Sequence, residues 1–190
     1  MTQSDGTTIK AALGSGTVTA TLQRSTAPDL DGSLDSEIVI HEYTHGISNR
    51  LTGGPQNSSC VSNQETGSEG WSDFIAMLVT VRPEDINVPA NANWNGVYPD
   101  MSYSIWAPGN KAFYDGLRRY PYSTDKTKNP LTFKHIEDDT ALPTMPAPAF
   151  GADGAMNSEV HNTGEVWQSM LWDCYVGLLR DTARYTFDQA

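Results

Sequence analysis

Residues 35–55, DSEIVIHEYTHGISNRLTGGP, decide how this chain is read. Asp35 or Ser36 can open a helix there, because a side-chain oxygen accepts a first-turn amide that has no partner inside the helix. The predicted helix runs from about Ser36 to Arg50 and stops at Gly53-Gly54-Pro55. Ile40, Tyr43, Thr44 and Ile47 recur at steps of three and four, the spacing of a core-facing stripe. On the same helix His41 and His45 stand four residues apart, so their imidazoles project side by side and can grip one ion. Glu42 lies between them on that face.

His41-Glu42-Tyr43-Thr44-His45 is an H-E-x-x-H motif, in which two histidines bind zinc and the glutamate serves as general base. The plainer alternative is a helix with two ordinary histidines, one buried and one exposed. A catalytic zinc takes three protein ligands and keeps a fourth position for water. Glu69, opening Glu69-Gly70-Trp71-Ser72-Asp73, is the natural third. Asp73, four residues on, shares its face and is placed to accept a hydrogen bond from a ligand imidazole, with His41 as the expected donor. Read alone, Glu69 and Asp73 are better explained as two acids favoured near a helix N-terminus, a reading that yields only beside the H-E-x-x-H motif.

The rest of the chain frames these helices. Residues 7–23, TTIKAALGSGTVTATLQ, alternate on either side of Gly14-Ser15-Gly16 and predict a β-hairpin. A second helix is expected from about Ser68 to Val81, largely buried through Trp71, Phe74, Ile75, Leu78 and Val79, with Pro83 as its stop. Residues 83–157 are rich in Asn, Pro and Gly and read as long loops with short helices near 110–119 and 131–138. A last helix is expected to begin at an Asn162 cap, with Glu165 reaching back and Val166, Trp167, Met170, Leu171, Cys174 and Leu178 as its apolar face packed on the first two helices.

The 190 residues fit one domain, and the net charge of −11 without any Lys/Arg cluster argues against nucleic acid or an anionic membrane as partner. No stretch is apolar for long enough to span a bilayer. The first residues, MTQSDGTTIK, lack the basic and apolar regions of a signal peptide, so the sequence reads as cytoplasmic or as the mature part of a longer precursor. Cys60 and Cys174 could form one bridge, but two unpaired thiols is the preferred reading.

Longer stretches carry a resemblance. HEYTHGISNRLTGGPQNSSC from His41, followed by EGWSDF from Glu69, resembles the fungalysin family of zinc metallopeptidases, a branch of the thermolysin-like gluzincins. DLDGSLDSEIVIHEYTH, GLRRYPYSTDKTKNPLTFKHI and EVHNTGEVWQSMLWDCY resemble the same family in the same order, covering about residues 29–182. The loop between His45 and Glu69 looks about two residues shorter than in that family. The resemblance implies His41, His45 and Glu69 as ligands of one zinc per chain, Glu42 as the catalytic carboxylate and a polypeptide substrate. It also implies secretion and a propeptide in the precursor. The fold expected is α+β: a mainly helical zincin lobe over residues 29–190, with residues 1–28 as a short β-rich remnant of an N-terminal lobe. Thr17 to Gln23 is then the candidate edge strand for an extended peptide.

By the same likeness His161, in Val160-His161-Asn162-Thr163-Gly164, is the expected oxyanion donor. The thermolysin-like pattern places an acid five residues earlier to orient this histidine. Met156 stands there, and Asp153 and Glu159 are the candidates to substitute for it. Tyr120 and Tyr122 are candidate second oxyanion donors, with buried core tyrosines as an equal reading. His135 is expected on a solvent-exposed polar helix. Asp29, Asp31 and Asp35 have the spacing of a short calcium loop but lack its closing glutamate, and a turn and helix cap explain them as well. The competing functional reading is a zinc-stabilised domain without catalysis, in which metal supplies folding energy only.

Overall fold

A computed structural model of the chain describes residues 3–19, 31–62, 67–103, 112–149 and 154–190. Its α-helices are α1 (Gln3–Leu13), α2 (Ser36–Gly53), α3 (Ser68–Thr80), α4 (Ala112–Asp115) and α5 (Val160–Arg180). α3 packs against both α2 and α5. Short 3-10 turns at Pro83–Asn87, Pro89–Trp94 and Phe133–Ile136 punctuate the long segment before α5. No helix among the described residues is long and apolar enough to cross a membrane.

The first half of the expected hairpin is helical instead. Ile9 to Leu13 are compatible with a helix, Thr8 Oγ1 returns a hydrogen bond to Ser4 O at 3.0 Å, and Gly14-Ser15 ends the helix rather than turning a strand. Residues 20–23, the rest of that hairpin and of the candidate edge strand, lie outside the described residues. Among those described, the β pairing is an isolated antiparallel bridge between Tyr98 and Tyr122. The mainly helical lobe therefore stands as expected, and among the described residues no strand accompanies it.

α2 begins as the sequence predicts. Asp35 Oδ1 accepts Glu37 N–H at 3.0 Å, and Gly54, at φ 82°, closes the far end. Its orientation differs from the expected stripe. His41 and Thr44 are buried while Tyr43 and Ile47 are exposed, because the histidine face turns toward α3. Val39, Tyr43, Ile47 and Leu51 consequently form an exposed apolar row at steps of four.

α3 buries its small and polar residues, Ser68, Gly70, Ser72, Asp73, Ala76 and Met77, while Ile75, Leu78 and Val79 are on the exposed side. Gly70 explains the close packing on α5: a Cβ there would come within 2.2 Å of Gly164 O, and one at Gly164 within 2.6 Å of Glu69 Cβ. The two helices touch backbone to backbone at that crossing.

α5 starts before the expected Asn162 cap. Glu159 caps it, its Oε2 accepting the amides of His161 and Asn162 at 3.0 and 3.2 Å. Glu165 does not close a capping box. It is buried inside the helix, where Arg119 holds it through the backbone amide at 2.7 Å and Nε at 2.8 Å. The inward face is Val166, Trp172, Tyr175, Val176 and Leu179, whereas Cys174 and Leu178 are exposed. The larger core joins those last four to Met77, Val81, Trp94 and Tyr122, and a smaller one gathers Tyr120, Leu131, Leu142 and Val166.

Arg119 ties the long segment to α5, reaching Asn157 Oδ1 at 2.7 Å and Asn162 O at 3.0 Å as well as Glu165. His135 is buried rather than exposed, since its Nδ1 accepts Thr132 N–H at 2.9 Å and folds the ring inward. Both cysteines are free, as preferred from sequence: Cys60 Sγ donates to Asn49 O at 3.1 Å and Cys174 faces solvent.

Removing one partner of a buried ion pair leaves the other charge without compensation. Arg119→Met is therefore expected to cost about 3–5 kcal/mol in urea unfolding, and adding Glu165→Leu should recover most of that loss. A single variant as stable as the parent chain would show that the pair is dispensable.

Candidate metal centre

Three side chains from two helices converge. His41 Nε2 lies 3.0 Å from His45 Nε2 and 3.1 Å from Glu69 Oε2, and His45 Nε2 lies 3.4 Å from Glu69 Oε1. The helical step of four sets the two imidazoles side by side, and the first turn of α3 delivers Glu69. Among the described residues this is the only group of three or more His, Cys, Asp or Glu residues whose ligand atoms lie within 4.8 Å of one another.

The donor set fits zinc. A tetrahedral ion with bonds of about 2.0–2.1 Å separates its ligand atoms by about 3.3 Å. The three spacings here bracket that edge. Two imidazole nitrogens and a carboxylate are also ligand types that zinc accepts, leaving one corner of the tetrahedron unfilled by protein.

Both histidines of the candidate site are backed by a second side chain. His41 Nδ1 meets Asp73 Oδ1 at 2.8 Å, the partner expected from sequence, and His45 Nδ1 lies 3.2 Å from Ser72 Oγ. In both rings the outer nitrogen is occupied, so Nε2 is the one turned to the cluster. Asp73 is fully buried and is gripped in turn by Arg118, whose Nε donates to Oδ2 at 2.8 Å and whose Nη2 donates to Oδ1 at 2.6 Å. Burial alone would raise the Asp73 pKa, but Arg118 and the His41 hydrogen bond hold it well below the carboxylate range. Asp100, buried 3.7 Å from Arg118, is pushed the other way by burial and by the charge of Asp73.

Burial disfavours the charged form of His41, yet its interactions with the carboxylates of Asp73 and Glu69 outweigh it and raise its pKa to about 9. Glu69 would be raised by burial but is held far below its usual value by the bonds from His41 and His45. A cation is therefore favoured between these groups.

His161 joins the cluster from α5, with Nε2 3.5 Å from Glu69 Oε2 and a half-exposed side chain. Glu159 Oε1 holds its Nδ1 at 2.7 Å, so of the two acids proposed to orient it Glu159 does so. Asp153 lies outside the described residues. Glu42 is exposed on α2 and borders a cavity of about 520 Å³ lined by Tyr43, Gly46, Ile47, Arg50 and Leu51. A second cavity of about 310 Å³ opens beside His45 and Glu69, lined by Asn49, Ser58, Val61, Ser62, Ser68 and Val160.

The remaining candidates sit elsewhere. Tyr122 is not an oxyanion donor: it is closed to solvent and its hydroxyl donates to Asp73 Oδ2 at 2.6 Å. Tyr120 spends its hydroxyl on Pro143 O at 3.2 Å within the smaller core. Asp29 lies outside the described residues, and Asp31 and Asp35 act as caps. Asp31 Oδ1 accepts Ser33 N–H at 2.9 Å, and Asp35 also accepts Tyr103 N–H at 3.2 Å. Of the two readings of this acidic stretch, the turn and cap is the one observed for Asp31 and Asp35.

Neither Arg118 nor Ser72 is legible in the sequence as part of the site. Arg118 follows no helical or strand period, and the only sign of it is indirect, since a buried acid such as Asp73 needs an opposing charge. Ser72 lies one residue before Asp73 on the buried face of α3, where a small donor reads as packing.

A helix bearing H-E-x-x-H whose two imidazoles meet a glutamate from the following helix is the metal centre of a metallopeptidase class. Residues 2–186 match the fungalysin metallopeptidase family, M36. The chain belongs to that family. It is 39% identical to extracellular metalloproteinase mep of Aspergillus terreus over 154 residues, covering 80% of this chain and 19% of the relative. It is 40% identical to the protein of the same name from Aspergillus fumigatus, and 39% to extracellular metalloproteinase 4 of Trichophyton rubrum, with the same coverage of 80% and 19%. The chain thus spans about a fifth of the length of the curated relatives it matches.

A histidine whose pKa is raised by folding stabilises the protein below its unfolded value of 6.5, and that contribution is lost as pH rises through about 9. In the metal-free chain the His41 ring should titrate near 9 by NMR, and zinc added near neutral pH should release a proton, as seen by calorimetry in buffers of different ionisation enthalpy. Titration of His41 at an ordinary histidine value would contradict this electrostatic account.

Proposed function

We propose that this chain forms the zinc-binding part of a secreted endopeptidase that cleaves extended polypeptides. The observation that carries the proposal is the convergence of His41, His45 and Glu69 at separations near a tetrahedral edge. Those three residues would hold one zinc per chain, with Asp73 orienting His41. A zinc bound there supplies Lewis acidity and lowers the pKa of a coordinated water towards neutrality.

Glu42 takes the proton from the attacking water and passes it to the leaving amine nitrogen. Its exposed carboxylate beside the larger cavity supports that role, because the proton must reach substrate rather than protein. His161 donates from Nε2 to the oxyanion that develops on the scissile carbonyl, with Glu159 fixing its Nδ1. The exposed row Tyr43, Ile47 and Leu51 supplies an apolar wall next to Glu42. Secretion is supported by the extracellular relatives.

The test uses the full chain with zinc and casein. One zinc per chain and chelator-sensitive cleavage are expected. Glu42→Gln should lower turnover about 10²–10⁴-fold with zinc retained. His161→Phe should lower it about 10²–10³-fold, again with zinc retained. Undiminished cleavage by Glu42→Gln would remove the mechanism. Zinc that raises the melting temperature while no casein is cut would instead favour the non-catalytic, metal-stabilised domain.

A further inference from the structure

Both carboxylate oxygens of Asp73 are engaged. Oδ1 lies 2.8 Å from His41 Nδ1 and accepts Arg118 Nη2 at 2.6 Å, while Oδ2 accepts Arg118 Nε at 2.8 Å and the Tyr122 hydroxyl at 2.6 Å. An ionised carboxylate offers about four acceptor positions, so the plane of this one is determined by its donors. We propose that Tyr122 is a positioning residue for the metal centre: its hydroxyl fixes the orientation in which Asp73 presents Oδ1 to His41. The inference rests on the reading of His41 as a zinc ligand.

Arg118 supplies charge to Asp73 but shares it with Asp100, 3.7 Å from its Nε. The phenol adds no charge. It contributes a fixed direction, because Tyr122 has almost no freedom to move. Its ring belongs to the main core with Met77 and Trp172, and its backbone pairs with Tyr98 in both directions, at 2.8 and 3.0 Å. A short hydrogen bond from a neutral hydroxyl to a carboxylate is charge-assisted and directional. Through it the rigid core sets where His41 Nε2 points. A hydroxyl that needed only a partner would be satisfied by a carbonyl, as that of Tyr120 is by Pro143.

That neighbouring tyrosine provides the control. Zinc affinity is measured by competition with a chromophoric chelator on the full chain, and the geometry of the site by the visible spectrum of the cobalt-substituted protein. Tyr122→Phe should weaken zinc binding about tenfold and alter the cobalt bands, the scale expected when a group behind a ligand is lost. Tyr120→Phe should leave both unchanged. If Tyr122→Phe lowers the melting temperature of the metal-free chain but leaves affinity and spectrum unchanged, the hydroxyl is merely structural and the inference is overturned. Should the variant not fold, NMR of the parent chain decides: the Tyr122 hydroxyl proton should shift when zinc is added, and an unshifted proton overturns the inference. Failure of the parent chain to bind zinc at all would instead overturn the reading of the metal centre, an outcome visible before any variant is made.

Discussion

A carboxylate sealed from water must be met by opposing charge and by donors, and Asp73 organises this molecule around that requirement. Arg118 supplies the charge, Tyr122 a neutral donor from the core, and His41 the link to the site. The consequence runs outward. With Asp73 ionised and immobile, His41 keeps Nε2 turned to Glu69 and His45, and a cation is favoured between them. The same acid explains why α3 buries polar residues and leaves Ile75 and Val79 on its exposed side.

A second constraint places α5. Gly70 and Gly164 let α3 and α5 meet at backbone distance, which brings His161 to within 3.5 Å of Glu69. Glu159 then does two things at the start of α5: one oxygen caps the helix and the other holds the imidazole. Helix end and site are positioned by a single side chain. Arg119 does comparable work at longer range, fastening the long segment before α5 onto Glu165 and Asn157.

The residues legible in the sequence are those whose roles depend on local spacing. His41 and His45 are related by one helical step, Asp35 caps α2 where expected, and Asp73 lies one turn beyond Glu69. Other features depend on contacts between distant segments, and periodicity misleads there. Tyr43 and Ile47 read as a core stripe but point away from α3, since the polar histidine face takes the buried side. Glu165 resembles a capping residue but meets Arg119, 46 positions away. Tyr122 looks available for chemistry only until its partner is known. At the N-terminus, alternation around Gly14 suggests a hairpin, yet Gln3–Leu13 is helical.

The central claim is that His41, His45 and Glu69 are the zinc ligands, and zinc K-edge absorption spectroscopy on the metal-loaded chain tests it most directly. The account predicts a first shell of nitrogen and oxygen only, at about 2.0–2.1 Å, with outer-shell scattering from two imidazoles. Sulfur at about 2.3 Å, which would implicate Cys60 or Cys174, or a shell without imidazole, would contradict it.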